Sequence, residues 1–264
     1  MVNAKVYLLD NGRLELDEAW LVAGLNTGTV ENKNPPAKWI EVPTYTVLVD
    51  HPEGIVHFDL TCNPRAMIDQ WPDWYKRTFP YRFTEDQKIE SYYKKLGLKP
   101  SNITMIVLSH LHADHCGNLD LFKNTTVPVL VHEEELKHAY YATAIGLRGG
   151  YVRKDFDIPG LQLESVNPPE LGIEVLKDVW VYHMPGHTPG LLILVVHLDK
   201  EGTLIFPSDA CFDKRNFGPP PILAGSLWNG PLWLNSIERM RIMTRAHKAK
   251  MMFSHDMASF QTYK

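Results

Sequence analysis

The segment Ser109-His110-Leu111-His112-Ala113-Asp114-His115-Cys116-Gly117 places four side chains of metal-binding type within six positions. It follows directly on residues 103–108, an apolar, β-branched run of buried-strand character. Extended backbone has a period of two, so His110 and His112 project from the same side. Asp114 and His115 come next, where the chain turns, and reach a second position close by; Gly117 permits the tight backbone. Imidazole nitrogen together with carboxylate oxygen suits a borderline cation such as Zn²⁺. The competing reading is a polar loop whose histidines cluster by accident. The strand-then-turn context weighs against it.

Three other stretches repeat the arrangement singly. His183-Met184-Pro185-Gly186-His187-Thr188-Pro189-Gly190 is a strand end running into a glycine/proline loop that carries His187. Phe206-Pro207-Ser208-Asp209-Ala210 delivers Asp209 in the same way, and Met252-Phe253-Ser254-His255-Asp256 delivers His255. A lone histidine at a strand end is an ordinary surface residue. Four strand ends carrying only imidazoles and carboxylates point to one shared metal site.

The elements that must position these residues are legible as alternating patterns. Strands are expected over 6–9, 44–49 and 55–59, the last two joined by the turn His51-Pro52-Glu53-Gly54. Residues 63–83 read as an irregular stretch crowded with aromatic side chains. A helix then starts at Thr84, with Gln87 completing a capping-box pattern, and stops at Gly97 and Pro100. Further strands are expected over 127–132, 179–183, 191–197, 204–207 and 251–254, and helices over 133–145 and 232–248. Strands dominate each half, with helices between and after them. That order predicts an α/β fold, an αββα sandwich of two mixed β-sheets flanked by helices. No Pro/Gly/Ser-rich linker divides the halves, so residues 1–264 are expected to form one domain.

Bulk properties narrow the function class. The formal net charge of −4, with 22% charged and 44% hydrophobic residues, offers no general attraction to nucleic acid or to an anionic membrane. No apolar run approaches the roughly 18 residues of a membrane span. Asp10 arrives too early for the apolar core of a signal peptide. Three cysteines without C-x-x-C spacing (Cys62, Cys116, Cys211) argue against a disulfide framework and for a reducing cytoplasm. Cys116 adjoins the cluster but reads as a small buried residue behind the loop. His51, His132, His138, His197 and His247 match no motif position and read as structural or solvent-facing.

The set His110, His112, Asp114, His115, His187, Asp209 and His255, in this order and spacing, resembles the metallo-β-lactamase superfamily with its H-x-H-x-D-H motif. The likeness runs from Val6 to Met257. It implies one metal held by His110, His112 and His187, a second held by Asp114, His115 and His255, and Asp209 bridging them. Two divalent ions are thereby expected as cofactors, Zn first, with Co, Mn or Fe served by the same donors. Asp59 sits where the family has D-T-G and implies support of the metal loop from behind; Leu60-Thr61 departs from that pattern.

Within the superfamily, the opening Lys5-Val6-Tyr7-Leu8-Leu9-Asp10-Asn11-Gly12, the segment Ser208-Asp209-Ala210 and the close Ser254-His255-Asp256-Met257-Ala258-Ser259-Phe260 resemble the N-acyl homoserine lactonases that quench quorum signals, and the related pyridoxolactonases. The resemblance implies a lactone-opening hydrolase in which a hydroxide bridging the two ions attacks the carbonyl, one ion acts as Lewis acid, and Asp114 carries a proton to the leaving alkoxide. The lactonases carry a substrate-contacting Tyr three residues after the bridging Asp, where this chain has Phe212, which has no donor. The aromatic stretch 71–83 and residues 20–25 are read either as the lining of an acyl-chain channel or as core or dimer contact. The expected partner is a small-molecule lactone, with self-association into a homodimer left open. The other enzymes of this scaffold (a glyoxalase II-type thioesterase, a β-lactamase, a phosphodiesterase) and a non-hydrolytic di-iron redox protein are the alternative readings.

Overall fold

A computed structural model describes residues 1–263. Seven strands form the first sheet: β1 (Lys5–Asp17), β2 (Trp39–His51), β3 (Gly54–Phe58), β4 (Tyr81–Arg82), β5 (Met105–Val107), β6 (Pro128–His132) and β7 (Gln162–Val166), in the order β4-β1-β2-β3-β5-β6-β7. Five form the second: β8 (Ile173–Leu176), β9 (Val179–His183), β10 (Leu192–Leu198), β11 (Gly202–Phe206) and β12 (Lys250–Met251), in the order β12-β11-β10-β9-β8. Both are mixed. β1, β2 and β3 pair antiparallel while β3, β5, β6 and β7 pair parallel, and β12 is the parallel edge of an otherwise antiparallel sheet.

The period of two explains how the sheets stack. Val47, Val49, Val56 and Phe58 of the first sheet bury against Val181, Leu192, Leu194 and Val196 of the second. The intervening residues point outward. Leu48, Ile106 and Val129 pack under helices α2 (Ile89–Leu96), α3 (Glu133–Ala144) and α4 (Arg153–Phe156), whereas Ile193 and Val195 meet α6 (Gly230–His247) through Trp233, Ile237 and Met240. Each such side chain fully withdrawn from water contributes about 1.5–3 kcal/mol. The result is the expected αββα sandwich. The remaining helices are α1 (Asp73–Thr78), α5 (Lys214–Phe217) and α7 (Met257–Tyr263).

The capping box at Thr84 is present, with the Thr84 amide donating to Gln87 Oε1 at 2.9 Å, but it closes a separate 3-10 turn (Glu85–Gln87); the helix expected from Thr84 starts only at Ile89, and α2 ends on Gly97 at φ +70°. β1 and β2 run far beyond the segments expected. Asn11-Gly12, a turn pair by composition, sits instead in a bulge where the β1–β2 register shifts and Gly12 adopts φ +112° against the Arg82 carbonyl. The stretch expected to be irregular over 63–83 contains α1 and β4. β7 and β8 were not anticipated: both are edge strands, β7 polar and mostly exposed, β8 only four residues long and half-buried, so neither carries the signature of a strand buried on both faces. α7 was likewise unanticipated. No helix among the described residues is long and apolar enough to cross a membrane.

Candidate metal centre

β5 ends at Val107, and the following loop is tied to both sheets: the Leu108 amide donates to Leu130 and the Leu192 amide donates to the Ser109 carbonyl. Residues 112–116 then close a helical turn, with the amides of His115 and Cys116 on the His112 carbonyl. His187 lies in the β9–β10 loop, Asp209 in a one-turn helix after β11, and His255 after β12. All three follow strands of the second sheet, so the centre forms where the C-terminal end of β5 meets those of β9, β11 and β12.

All seven motif residues come together there. One ligand atom each from His110, His112, His187 and Asp209 lie mutually within 4.8 Å, and so do atoms from Asp114, His115, Asp209 and His255. Asp209 is common to both groups. Its Oδ2 is 3.4 Å from His187 Nε2 and 3.7 Å from His110 Nε2, while its Oδ1 is 3.3 Å from His115 Nε2 and 3.2 Å from His255 Nε2. Two donors each about 2.0–2.1 Å from a tetrahedral ion stand roughly 3.3 Å apart, so these separations fit ligation. His110 Nε2, His115 Nε2 and Asp209 Oδ1 are enclosed and have no hydrogen-bond partner. Orphaned atoms of this kind cost about 1–3 kcal/mol each, and a cation in each of the two groups would satisfy all three.

The imidazoles are oriented from behind. His187 Nδ1 donates to the Ser226 carbonyl at 2.9 Å, His255 Nδ1 to the Pro43 carbonyl at 3.1 Å, and His115 Nδ1 to Asp59 Oδ2 at 2.8 Å. Each bond fixes Nδ1 as the donor and turns Nε2 toward the centre. Burial pushes His110, His112 and His187 below the ordinary imidazole range, so they stay neutral at neutral pH, the form that binds a cation. Burial opposes charge on His115 and His255 as well, but the Asp209 and Asp114 carboxylates outweigh it and raise both. Those same two imidazoles hold Asp209 well below the usual carboxylate range despite its burial.

Asp59 supports the loop as the resemblance implied. At φ +60° it accepts from the Ser109 amide (2.7 Å), Ser109 Oγ (2.9 Å) and Ser208 Oγ (3.2 Å) besides His115. The departing Leu60-Thr61 pair keeps the loop in place through backbone: the Leu60 amide donates to the His115 carbonyl and the Gly117 amide to the Thr61 carbonyl. Cys116 is fully enclosed, with its thiol toward the Leu111 carbonyl at 3.5 Å, and belongs to neither ligand group.

Sequence reasoning missed Glu135. Buried in α3, its carboxylate accepts from the Leu111 amide (3.0 Å), the Gly190 amide (3.2 Å) and the Tyr151 hydroxyl (2.9 Å), tying together the loops that carry His110, His112 and His187. In sequence it is the third of three consecutive glutamates, and nothing there separates it from its exposed neighbours. Gly150 is also hidden to sequence: a Cβ at that position overlaps the His112 ring.

Above the centre opens a cavity of about 660 Å³ with mostly apolar walls. The two aromatic segments prove to line it, through Trp20 and Leu21 on one side and Trp74, Tyr75 and Phe79 on the other, while Trp71 and Tyr81 go to the core. Phe212 stands in the wall between His187 and His255, its ring 5.3 Å and 5.7 Å from theirs. His138, expected at the surface, faces this cavity between Tyr151 and Trp228. Of the other unassigned histidines, His51 bonds the Lys177 carbonyl, His132 caps α3 and stacks on His183, and His197 meets Thr203, while His247 is exposed.

Two sheets with a shared carboxylate between two imidazole groups define the class, and the profile of the metallo-beta-lactamase superfamily matches residues 39–235. The chain belongs to the metallo-β-lactamase superfamily, and its fold and donor set are those of a dinuclear divalent-metal site. Among its relatives, the N-acyl homoserine lactonase AiiB of Agrobacterium fabrum is 28% identical over 264 residues, covering 97% of this chain and 95% of that protein. An N-acyl homoserine lactonase of Bacillus cereus is 28% identical over 261 residues, covering 97% and 94%. The structure of a quorum-quenching N-acyl homoserine lactone hydrolase superposes with a TM-score of 0.81 at 25% identity, over 100% of this chain and 96% of that one.

Proposed function

We propose that this protein is a dinuclear metal-dependent hydrolase that opens the lactone ring of N-acyl homoserine lactones. The observation that carries the reading is the pair of ligand groups sharing Asp209 on the floor of an apolar cavity. His110, His112 and His187 would hold one ion and Asp114, His115 and His255 the other, with Asp209 shared between the two groups. Zinc is the first choice of metal because imidazole and carboxylate donors in this number suit it, and Co, Mn or Fe fit the same set.

Divalent ions held there would supply an acidified water as nucleophile and Lewis-acid polarisation of the ester carbonyl. The chain does the rest. Asp114, at the edge of the cavity with Oδ2 3.6–3.7 Å from His115 and His255, is placed to receive a proton from the attacking water and deliver it to the leaving ring oxygen. The apolar walls exclude bulk water and accept the acyl chain, and the cavity volume falls within the range of about 300–1,000 Å³ common for small-molecule sites. Residues 1–264 act as one catalytic domain, working in a reducing cytoplasm.

Elemental analysis of the purified protein, together with hydrolysis of a panel of acyl homoserine lactones, thioesters and β-lactams, tests this. About two equivalents of metal and preferential lactone opening are expected. One ion or none in fully active protein, or a preference for thioesters or β-lactams by orders of magnitude, overturns it.

A further inference from the structure

Opening an ester places negative charge on the carbonyl oxygen, and a neutral donor held against that oxygen stabilises the change. Phe212, in the wall between two ligand imidazoles, has no such donor. The hydroxyls lining the cavity differ in what they are free to do. Thr78 already donates to the Trp74 carbonyl at 2.8 Å, and Tyr151 to Glu135. Thr188 Oγ1 is fully enclosed. Ser226 also has a hydroxyl unpartnered among the described residues, but it sits on a half-exposed loop behind His187, on the Nδ1 side of that ring and away from the centre. Tyr75 is different. It lines the cavity with Asp114, Asp209 and Phe212, its residue is only 4% exposed, and its hydroxyl has no hydrogen-bond partner among the described residues.

The ring is also held rigidly. Trp71 packs edge-on at 4.7 Å, Trp74 edge-on at 5.2 Å and Phe79 at 4.9 Å, and the backbone of α1 is closed by the Tyr75 amide on Pro72 and the Phe79 amide on Tyr75. Unlike the enclosed orphan atoms of the centre, its oxygen opens on the cavity, so a fixed phenol stands there with its donor free for a ligand. Burial, reinforced by the charge of Asp114, keeps the hydroxyl protonated far above neutral pH, so it is a donor throughout the working range.

We propose that Tyr75, reaching the cavity from α1, donates the hydrogen bond to the lactone carbonyl oxygen that position 212 cannot supply in this chain. The assignment rests on the lactonase reading. It makes Tyr75 a catalytic residue and gives the aromatic segment 71–79 a second purpose besides lining the acyl site: three aromatic neighbours aim one phenol.

The test compares wild type, Tyr75→Phe, and Tyr75→Phe combined with Phe212→Tyr, using N-hexanoyl homoserine lactone and measuring kcat, KM, metal content and Tm. Tyr75→Phe keeps the ring and its packing, so metal content and KM are expected to hold while kcat falls about 10²-fold, the effect of removing one donor of this kind. Adding Phe212→Tyr is expected to recover part of that loss by supplying a phenol from the other wall. An unchanged kcat, or a loss confined to KM (which places the contact on the acyl amide), overturns the assignment. If Tyr75→Phe also lowers Tm, the double variant decides: recovery supports the donor and no recovery overturns it. Wild type that opens no lactone overturns this inference together with the proposed function, whereas active wild type with indifferent Tyr75→Phe overturns this inference alone.

Discussion

Asp59→Asn separates the support of the metal loop from the ligands themselves. Asp59 adopts φ +60°, a conformation asparagine tolerates at least as well as aspartate, so the substitution leaves the backbone unstrained. The side chain changes in one respect. With the amide oxygen retained toward the Ser109 amide, an NH₂ replaces the oxygen that accepts from His115 Nδ1, Ser109 Oγ and Ser208 Oγ. Two donors then face each other at a 2.8 Å separation. His115 must swing away or move its proton to Nε2, the atom that faces the centre. A hydrogen bond to a charged group contributes about 1.5–3 kcal/mol, which at about 1.4 kcal/mol per tenfold is roughly 10–150-fold in affinity. That agrees with the 10–100-fold typical of losing a partner behind a metal ligand. Competition with a graded chelator, read as metal per protein, is the assay. The group built on Asp114, His115 and His255 should release its ion first, and the group containing His112 and His187 later. Both equivalents retained with wild-type chelator midpoints would refute the reasoning.

Two other outcomes follow from the packing. Gly150→Ala should displace His112 and lower metal occupancy and kcat together, whereas Gly149→Ala, whose Cβ meets nothing within 4 Å, should be silent; equal behaviour of the two in a metal assay contradicts the close-approach argument. His57 is enclosed between Tyr93 and Thr46, and burial depresses it to about 3. The unfolded chain therefore binds the extra proton, and stability falls as pH drops from about 6.5 toward about 3, by up to about 1.4 kcal/mol per pH unit. Urea midpoints across that window should fall less steeply in His57→Gln, and parallel curves would remove His57 from the account.

What the sequence determined by itself were the features encoded in neighbouring residues. The ligands of the H-x-H-x-D-H segment are legible because the chemistry is concentrated in six positions, and His187, Asp209 and His255 because each ends a strongly apolar run. The central strands are legible for the same reason: burial on both faces leaves little room for polar side chains in 103–108 or 191–197. Edge strands β7 and β8 lack that signature, since one face and one edge meet water. Tertiary structure alone decided which side chains converge. Glu135 reads like Glu133 and Glu134, yet only it turns inward to bind the backbone on either side of the centre. His138 reads as a surface histidine until α3 packs with that face toward the cavity. Tyr75 reads as one aromatic among many, and its unpartnered hydroxyl on the cavity lined also by Asp114 and Asp209 exists only once α1 folds into the wall of the site. Local pattern specifies which residues are buried; direction and distance between segments far apart in the chain are fixed only when the two sheets close on one another.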